Sequence, residues 1–259
     1  MGKKTPLWLI AVAAAVSLTA SCLSREPAES RVVRVTDGDT VEMDSGVTVR
    51  YIGIDTPETS RKVSGQWVPA EDPFGQEAKS ANEELVMGKK VRLEYDLEKK
   101  DKYGRTLAYI FVEGEGRREI FVQAELLRKG LAYLYTFPPN VKYVDVLMQA
   151  QAAAKQERAG MWAETLEIPG KEAANYLGQR KFVIGKVRKA RRTEKVIFLE
   201  MEGLAAVIFT KDLWFFEKED VDPLRDYSQK TITVFGLIKS YRGKTEIIVN
   251  HPWQIEVLD

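Results

Sequence analysis

Cysteine and histidine are almost missing from the 259-residue sequence, which holds one of each, Cys22 and His251. A single thiol excludes an intramolecular disulfide framework, and one Cys with one His cannot complete any usual zinc ligand set. A two-histidine acid–base mechanism is excluded in the same way. No G-x-S-x-G stretch is present to accompany His251 in a Ser/His/Asp triad. Net charge is nearly absent too, with 39 Lys and Arg against 38 Asp and Glu. No apolar run reaches the ~20 residues that a membrane-spanning helix needs. Any chemistry must therefore rest on carboxylates, Arg, Lys or Tyr. What is plentiful is ordinary globular material, 44% hydrophobic, 10% aromatic and 30% charged, enough for one large folded unit or two small ones.

Residues 1–22 run from Lys3-Lys4 through an apolar stretch, Leu7 to Ala20, to Ser21-Cys22. This is the layout of a secretory signal. Leu18-Thr19-Ala20-Ser21-Cys22 resembles a bacterial lipobox, with Thr19 where Leu is usual, and the resemblance implies that Cys22 becomes the lipidated first residue after cleavage. The expectation is an extracytoplasmic protein tied to a membrane by a lipid anchor at Cys22, or otherwise secreted or periplasmic. Residues 23–30 (LSREPAES) then form a polar tether.

Strand-like segments with turn punctuation follow at Val32–Val35, Thr40–Met43, Val47–Ile54, Val91–Tyr95 and Thr106–Val112. Five strands suggest a small barrel. Helical periodicity marks Gly75–Met87, Glu119–Lys129 and Lys142–Arg158, each stopped by a glycine. Ile168-Pro169-Gly170 marks a boundary, giving units 31–169 and 170–259. The second series of strands is Phe182–Lys189, Val196–Met201, Ala205–Phe209, Thr231–Ile238 and Glu246–Val249. Residues 23–170 hold 21 basic and 25 acidic residues, a formal −4, whereas 171–259 hold 16 and 13, a formal +3.

The richest chemistry lies in Thr36-Asp37-Gly38-Asp39-Thr40 and in Arg50-Tyr-Ile-Gly-Ile-Asp55-Thr56-Pro57-Glu58-Thr59. If Ser45-Gly46 is a two-residue hairpin turn, residues i and 91−i face one another and the acids converge at one rim. Asp39, Asp55 and a backbone carbonyl such as that of Thr56 would suit a hard divalent cation, calcium or magnesium. Taken alone, an Asp-Gly-Asp turn is usually just a turn, because Asp and Gly favour such backbone angles. Arg50 interrupts an otherwise apolar strand and needs an anionic partner, either a structural carboxylate or a phosphodiester. Arg105 sits in a second turn, Asp101-Lys102-Tyr103-Gly104-Arg105.

In this order and spacing, Asp37-Gly-Asp39-Thr, Arg50-x4-Asp55-Thr-Pro-Glu58-Thr and Asp101-Lys-Tyr-Gly-Arg105-x-Leu-Ala-Tyr109 resemble the staphylococcal nuclease family. Pro73-Phe-Gly75-Gln-Glu77-Ala78, Leu127-Arg-Lys-Gly130-Leu-Ala and Gly160-Met-Trp162 agree, so that the resemblance spans about Val32 to Ala163. It implies an α+β, mainly β fold: a five-stranded OB-fold barrel with three helices. It also implies Ca²⁺-dependent hydrolysis of DNA and RNA to 3′-phosphate ends. On the matching positions, Asp39, Asp55 and the Thr56 carbonyl would hold Ca²⁺. Glu58 would activate or orient water, and Arg50 and Arg105 would bind the phosphate. Lys102 and Tyr103, with Tyr133 or Tyr135, would hold nucleotide phosphate and base. No organic cofactor and no obligate protein partner is implied.

Residues 180–259 resemble the small OB-type nucleic-acid-binding barrel appended to some nucleases of this family, notably along Tyr241-Arg-Gly-Lys-Thr-Glu-Ile-Ile-Val249. Eight basic residues against one acid lie between Arg180 and Lys195. Arg188, Arg191 and Arg192 are expected on a loop between two strands, with Phe182, Phe198, Tyr241 and Trp253 as stacking faces or as core. The rival reading is a catalytically silent nucleic-acid-binding lipoprotein of the same fold.

Overall fold

The computed structural model describes residues 30–258, apart from 64, 71, 115, 117 and 164–166. The expected signal segment, Cys22 and all of the tether except Ser30 lie outside the described residues. The chain then forms β1 (Ser30–Asp37), β2 (Thr40–Met43), β3 (Thr48–Tyr51), β4 (Gly53–Asp55), β5 (Ser60–Val63) and β6 (Gln66–Pro69). After α1 (Gly75–Val86) come β7 (Lys90–Glu94), β8 (Thr106–Glu113), β9 (Glu119–Phe121), α2 (Val122–Arg128), β10 (Tyr133–Tyr135) and α3 (Val144–Glu157). The strand order β3-β2-β1-β7-β8 is closed by parallel pairing of β3 with β8. A five-stranded barrel with three covering helices results. Inward residues such as Val32, Val41, Val49, Tyr51, Ile110 and Leu126 form its buried core, and removing each such side chain from water contributes ~1.5–3 kcal/mol.

Three expectations are corrected by this geometry. The β2–β3 turn has three residues, not two: Met43 N donates to Val47 O at 2.9 Å and Gly46 N donates to Met43 O at 2.8 Å. Gly46 takes φ +79°, the left-handed conformation that such a turn requires. Facing residues therefore sum to 90, with Thr40 opposite Arg50.

The expected single strand Val47–Ile54 is broken. Gly53 bends the chain at φ +87°, and β4 leaves the barrel wall to pair with β10, Asp55 facing Tyr133. A Cβ at Gly53 would lie 2.4 Å from Leu147 Cδ1 of α3, so glycine is what lets the bend sit against that helix. The bend swings Asp55 to the barrel rim.

The expected helix Glu119–Lys129 starts late, because residues 119–121 form β9 on β8. There Phe121 stacks on Phe111 with ring centres 4.7 Å apart, a pairing that helical geometry would forfeit.

The second β-rich unit contains β11 (Glu167–Pro169), β12 (Arg180–Lys186), β13 (Lys189–Arg192), β14 (Val196–Glu200) and β15 (Ala205–Phe209). It continues through α4 (Leu213–Lys218), α5 (Pro223–Tyr227), β16 (Thr231–Tyr241), β17 (Lys244–Val249) and β18 (Ile255–Val257). These strands form one sheet in the order β11-β12-β16-β17-β15-β14-β13, with β18 on β16. Val183, Leu199, Ile208, Phe216, Val234 and Ile247 anchor its own core. A smaller cluster joins the two cores. Ala154 and Trp162 meet Phe235 there, with Tyr133, Phe182 and Trp253 packed around them.

Candidate active site

The site is assembled at the barrel rim from three short segments. Asp37 ends β1 and Asp39 lies in the turn that follows, β3 carries Arg50, and β4 delivers Asp55 and, just beyond the strand, Thr56 and Glu58. Gly38 allows these segments to touch, since a Cβ there would lie 2.6 Å from Thr56 Oγ1 and 2.9 Å from Ala78 of α1. Buried Asn82 of α1 ties the base of the turn, accepting from Tyr51 Oη at 2.9 Å and donating to the Asp37 carbonyl at 3.2 Å.

Arg50 of β3 is the hub of the cluster. Its Nη2 donates to Asp55 Oδ1 at 2.8 Å, and its Nη1 lies 2.5 Å from Asp39 Oδ2 without an aligned hydrogen bond. Asp39 is only 6% exposed and is further held by Thr40 Oγ1 at 3.0 Å and Thr56 N at 2.9 Å. Burial pushes its carboxyl up from the ordinary range, while Arg50 pulls the other way. The opposing pulls arise because a desolvated carboxylate is costly unless a cation and hydrogen bonds compensate it. The remaining oxygen of Asp55, Oδ2, accepts from Arg180 of β12.

Glu58 stands at the mouth, open to water on one side and crowded by protein on the other. Its pKa is pushed up to about 8, first by burial and then by Asp37, Asp39 and Asp55. Such a carboxyl exchanges its proton near neutral pH.

Four carboxyls, Asp37, Asp39, Asp55 and Glu58, meet two guanidiniums, Arg50 and Arg180. The donors are all hard oxygens, so the residues fit Ca²⁺ or Mg²⁺. Among the described residues no three His, Cys, Asp or Glu side chains converge closely enough to chelate a metal unaided. A cation here would depend on backbone carbonyl and water ligands as well.

The cleft beside the cluster measures about 970 Å³ and is lined by both units, among them Asp55, Glu58 and Tyr135 of the first and Arg180, Lys181 and Lys239 of the second. Tyr135 is 45% exposed. Tyr133 is engaged by Phe235 and Trp162, with ring centres 5.0 and 5.7 Å away, and burial pushes its phenol up to about 12.

Other expected site residues do not line this cleft and have their partners elsewhere. Arg105 is held by Asp101 at 2.7 Å, although it precedes by two residues Leu107, the β8 partner of Arg50. Lys102 and exposed Tyr103 share that turn, the Lys102 Nζ 5.0 Å from the Tyr103 ring centre.

Arg188, Arg191 and Arg192 line no part of the cleft. The expected loop is largely a strand: β13 spans Lys189–Arg192 and pairs with β14, placing Arg191 across from Phe198. Cross-strand stacking at 3.7 Å and the ion pair of Arg191 with Glu200 at 2.8 Å favour the extended chain. Arg188 pairs with Glu202 at 2.8 Å. Of the expected stacking faces, Phe182 and Trp253 belong to the joining cluster, and Tyr241 is exposed.

Sequence reasoning missed two participants. Asn82 has no local signature. Arg180 opens a basic run, yet nothing near it in the chain points to Asp55, 125 residues away.

Comparison with known proteins agrees with this geometry. Residues 48–164 match the family model described as "Staphylococcal nuclease homologue", a stretch that includes Arg50, Asp55, Glu58 and Arg105 but neither Asp39 nor Arg180. The SPbeta prophage-derived endonuclease YokF of Bacillus subtilis (strain 168) is 40% identical over 136 residues, covering 51% of this chain and 43% of that protein. Endonuclease YncB of the same organism is 38% identical over 137 residues, 51% of this chain and 60% of the relative. The chain thus spans about half the length of these two relatives. The thermonuclease of Staphylococcus intermedius is 40% identical over 134 residues, 51% of this chain and 74% of that protein. With the closed five-stranded barrel, the Arg50 hub and these matches together, the chain belongs to the staphylococcal nuclease family.

Proposed function

We propose that this protein is a Ca²⁺-dependent nuclease that hydrolyses phosphodiester bonds of DNA and RNA and leaves 3′-phosphate and 5′-hydroxyl ends. The observation that carries the reading is Arg50 held between Asp39 and Asp55 with Glu58 beside them in an open cleft. A hard divalent cation on Asp39, Asp55 and the Thr56 carbonyl would supply positive charge against the substrate phosphate.

The protein's own groups account for the remaining needs. Glu58 takes a proton from the attacking water as its oxygen forms the new bond to phosphorus. Arg50 turns donors toward the non-bridging oxygens, where negative charge grows. The bond from phosphorus to the 5′-oxygen breaks, and that oxygen takes a proton from water in the open cleft. Arg105 would add a second fork by exchanging Asp101 for phosphate. Tyr135, the more open of the two tyrosines on β10, offers its ring to a base. The lysine-lined wall attracts the polyanion. We further propose export and lipid anchoring at Cys22, which would place the enzyme where calcium is abundant.

The test is cleavage of single-stranded DNA by residues 23–259 with Ca²⁺ or with chelator, beside Glu58→Ala and with analysis of product ends. Calcium-dependent cutting to 3′-phosphates that collapses in the variant is the expected result. Binding without cutting would replace this reading with the catalytically silent module.

A further inference from the structure

The acidic cluster contains a guanidinium that the barrel does not supply. Arg180, the first residue of β12, donates from Nη2 to Asp55 Oδ2, the oxygen that Arg50 leaves open. Its guanidinium carbon lies 5.0 Å from the centre of the Tyr133 ring. The ring supports one face of the fork and the carboxylate takes one edge, a pre-organised arrangement that a lysine could not copy. That single bond uses one of five N–H donors. The side chain keeps 26% of its surface open, and it lines the same cleft as Lys181 and Glu58.

Position also distinguishes it from the other arginines. Arg105 and Arg188 are tied to Asp101 and Glu202 outside this cleft. Arg180 is the guanidinium that shares a carboxylate with Arg50.

We propose that Arg180 is a phosphate-binding residue of the active site, supplied in cis by the second β unit: it grips a non-bridging oxygen of the nucleic-acid backbone in the cleft, beside the Asp55 carboxylate that it shares with Arg50. Lys181 and Lys239 line the same cleft and would continue the track along the strand. The assignment rests on the nuclease reading for the identity of the anion. It makes the second unit part of the active site rather than a separate binding module.

The test measures binding of a fluorescein-labelled single-stranded dodecanucleotide to the full chain carrying Glu58→Gln, with Ca²⁺, at a series of salt concentrations. Arg180→Ala should weaken binding about 10-fold and flatten the log–log salt slope by about 0.7, the loss of one phosphate contact on a single strand. Arg180→Lys should restore the slope but not the full affinity. With Glu58 intact, Arg180→Ala should raise KM more than it lowers kcat.

Unchanged affinity and slope in a folded Arg180→Ala protein would overturn the proposal and leave Arg180 as a structural tie on Asp55. If Arg180→Ala does not fold, Arg180→Lys decides: full affinity in that variant overturns the proposal, and weakened affinity with a retained slope supports it. Tighter Ca²⁺ binding by calorimetry, with unaltered DNA binding, would make Arg180 a competitor for Asp55 and equally overturn it. Should the parent bind DNA without cutting it in any metal, the nuclease reading fails while the salt slope still reports on Arg180.

Discussion

Gly75, the first residue of α1, packs so closely on Glu58 that a Cβ there would lie 2.6 Å from the Glu58 carbonyl oxygen and 3.0 Å from its carbonyl carbon. Both contacts are with backbone, which cannot swing aside as a flexible side chain would. The helix start therefore sets the height of Glu58 above the cluster. Gly75→Ala should displace the carboxyl and lower kcat at least ~10-fold, because a misplacement of about 1 Å is costly to positioned chemistry. Steady-state kinetics with a melting curve checks this; normal kcat in the variant would show that α1 does not position Glu58.

Arg50 supports both stability and turnover, and the two can be separated. Arg50→Ala leaves Asp39 and Asp55 without their shared cation, and breaking such a buried pair costs about 3–5 kcal/mol. Arg50→Lys keeps a charge but loses the fork that reaches both carboxylates at once. The Lys variant should fold and melt closer to the parent, while its turnover falls by roughly 10²-fold. Paired denaturation and kinetic measurements test the split, and a Lys variant with full turnover would remove the fork from the mechanism.

His251 gives the fold an acid-sensitive point outside the active site. Its Nδ1 accepts from Trp253 N at 3.2 Å, capping the turn Pro252–Gln254, so a proton on Nδ1 removes the cap. Burial, then the positive charge of Lys218, lowers its pKa to about 4. Glu219 lies 4.0 Å from Nε2, too long a contact to outweigh burial at 2% exposure. Because the unfolded chain takes up this proton near pH 6.5 and the folded chain near 4, the contribution is intact above pH 6.5 and is lost as pH falls toward 4. The loss amounts to about 3 kcal/mol at most. His251→Asn, which retains a capping acceptor, should be less stable at pH 7 yet show a flatter decline between pH 6.5 and 4 in chemical denaturation. Parallel declines would assign the acid sensitivity to other groups.

Trp162 holds the two cores together. Its ring lies 5.4 Å from that of Phe235 and 6.4 Å from that of Trp253, both in the second unit. The Lys155 ammonium sits 5.8 Å from its centre. Trp162→Ala should cost about 3–5 kcal/mol and convert one calorimetric transition into two, as the units lose their shared aromatic contact. A single undivided transition at a lower temperature would mean that other contacts, such as Asn250 Nδ2 donating to the Thr136 carbonyl at 3.2 Å, suffice to couple them.

Much of this molecule was legible from the chain alone, because the relevant physics is local. Alternation of apolar residues located β2, β8, β15 and β17 within a few residues, and glycine stops located the ends of α1 and α3. Asp39, Arg50, Asp55 and Glu58 were legible as a constellation because one hairpin and its continuation carry all four. Register was less legible. A turn of two residues and a turn of three share the same Ser-Gly, and only the hydrogen bonds across β2 and β3 choose between them. The break at Gly53 and the short β9 depend on partners in α3, β8 and β10, contacts that no window of neighbouring residues contains. Arg180 lies furthest from sequence logic. Its place beside Asp55 follows from the packing of Trp162, Phe235 and Tyr133 between two sheets, so residues far apart in the chain become neighbours only when both cores are complete. The order of residues set which side chains were available for the chemistry, and packing of the two cores selected which of them meet, because long-range proximity is a property of packed surfaces and not of spacing along a chain.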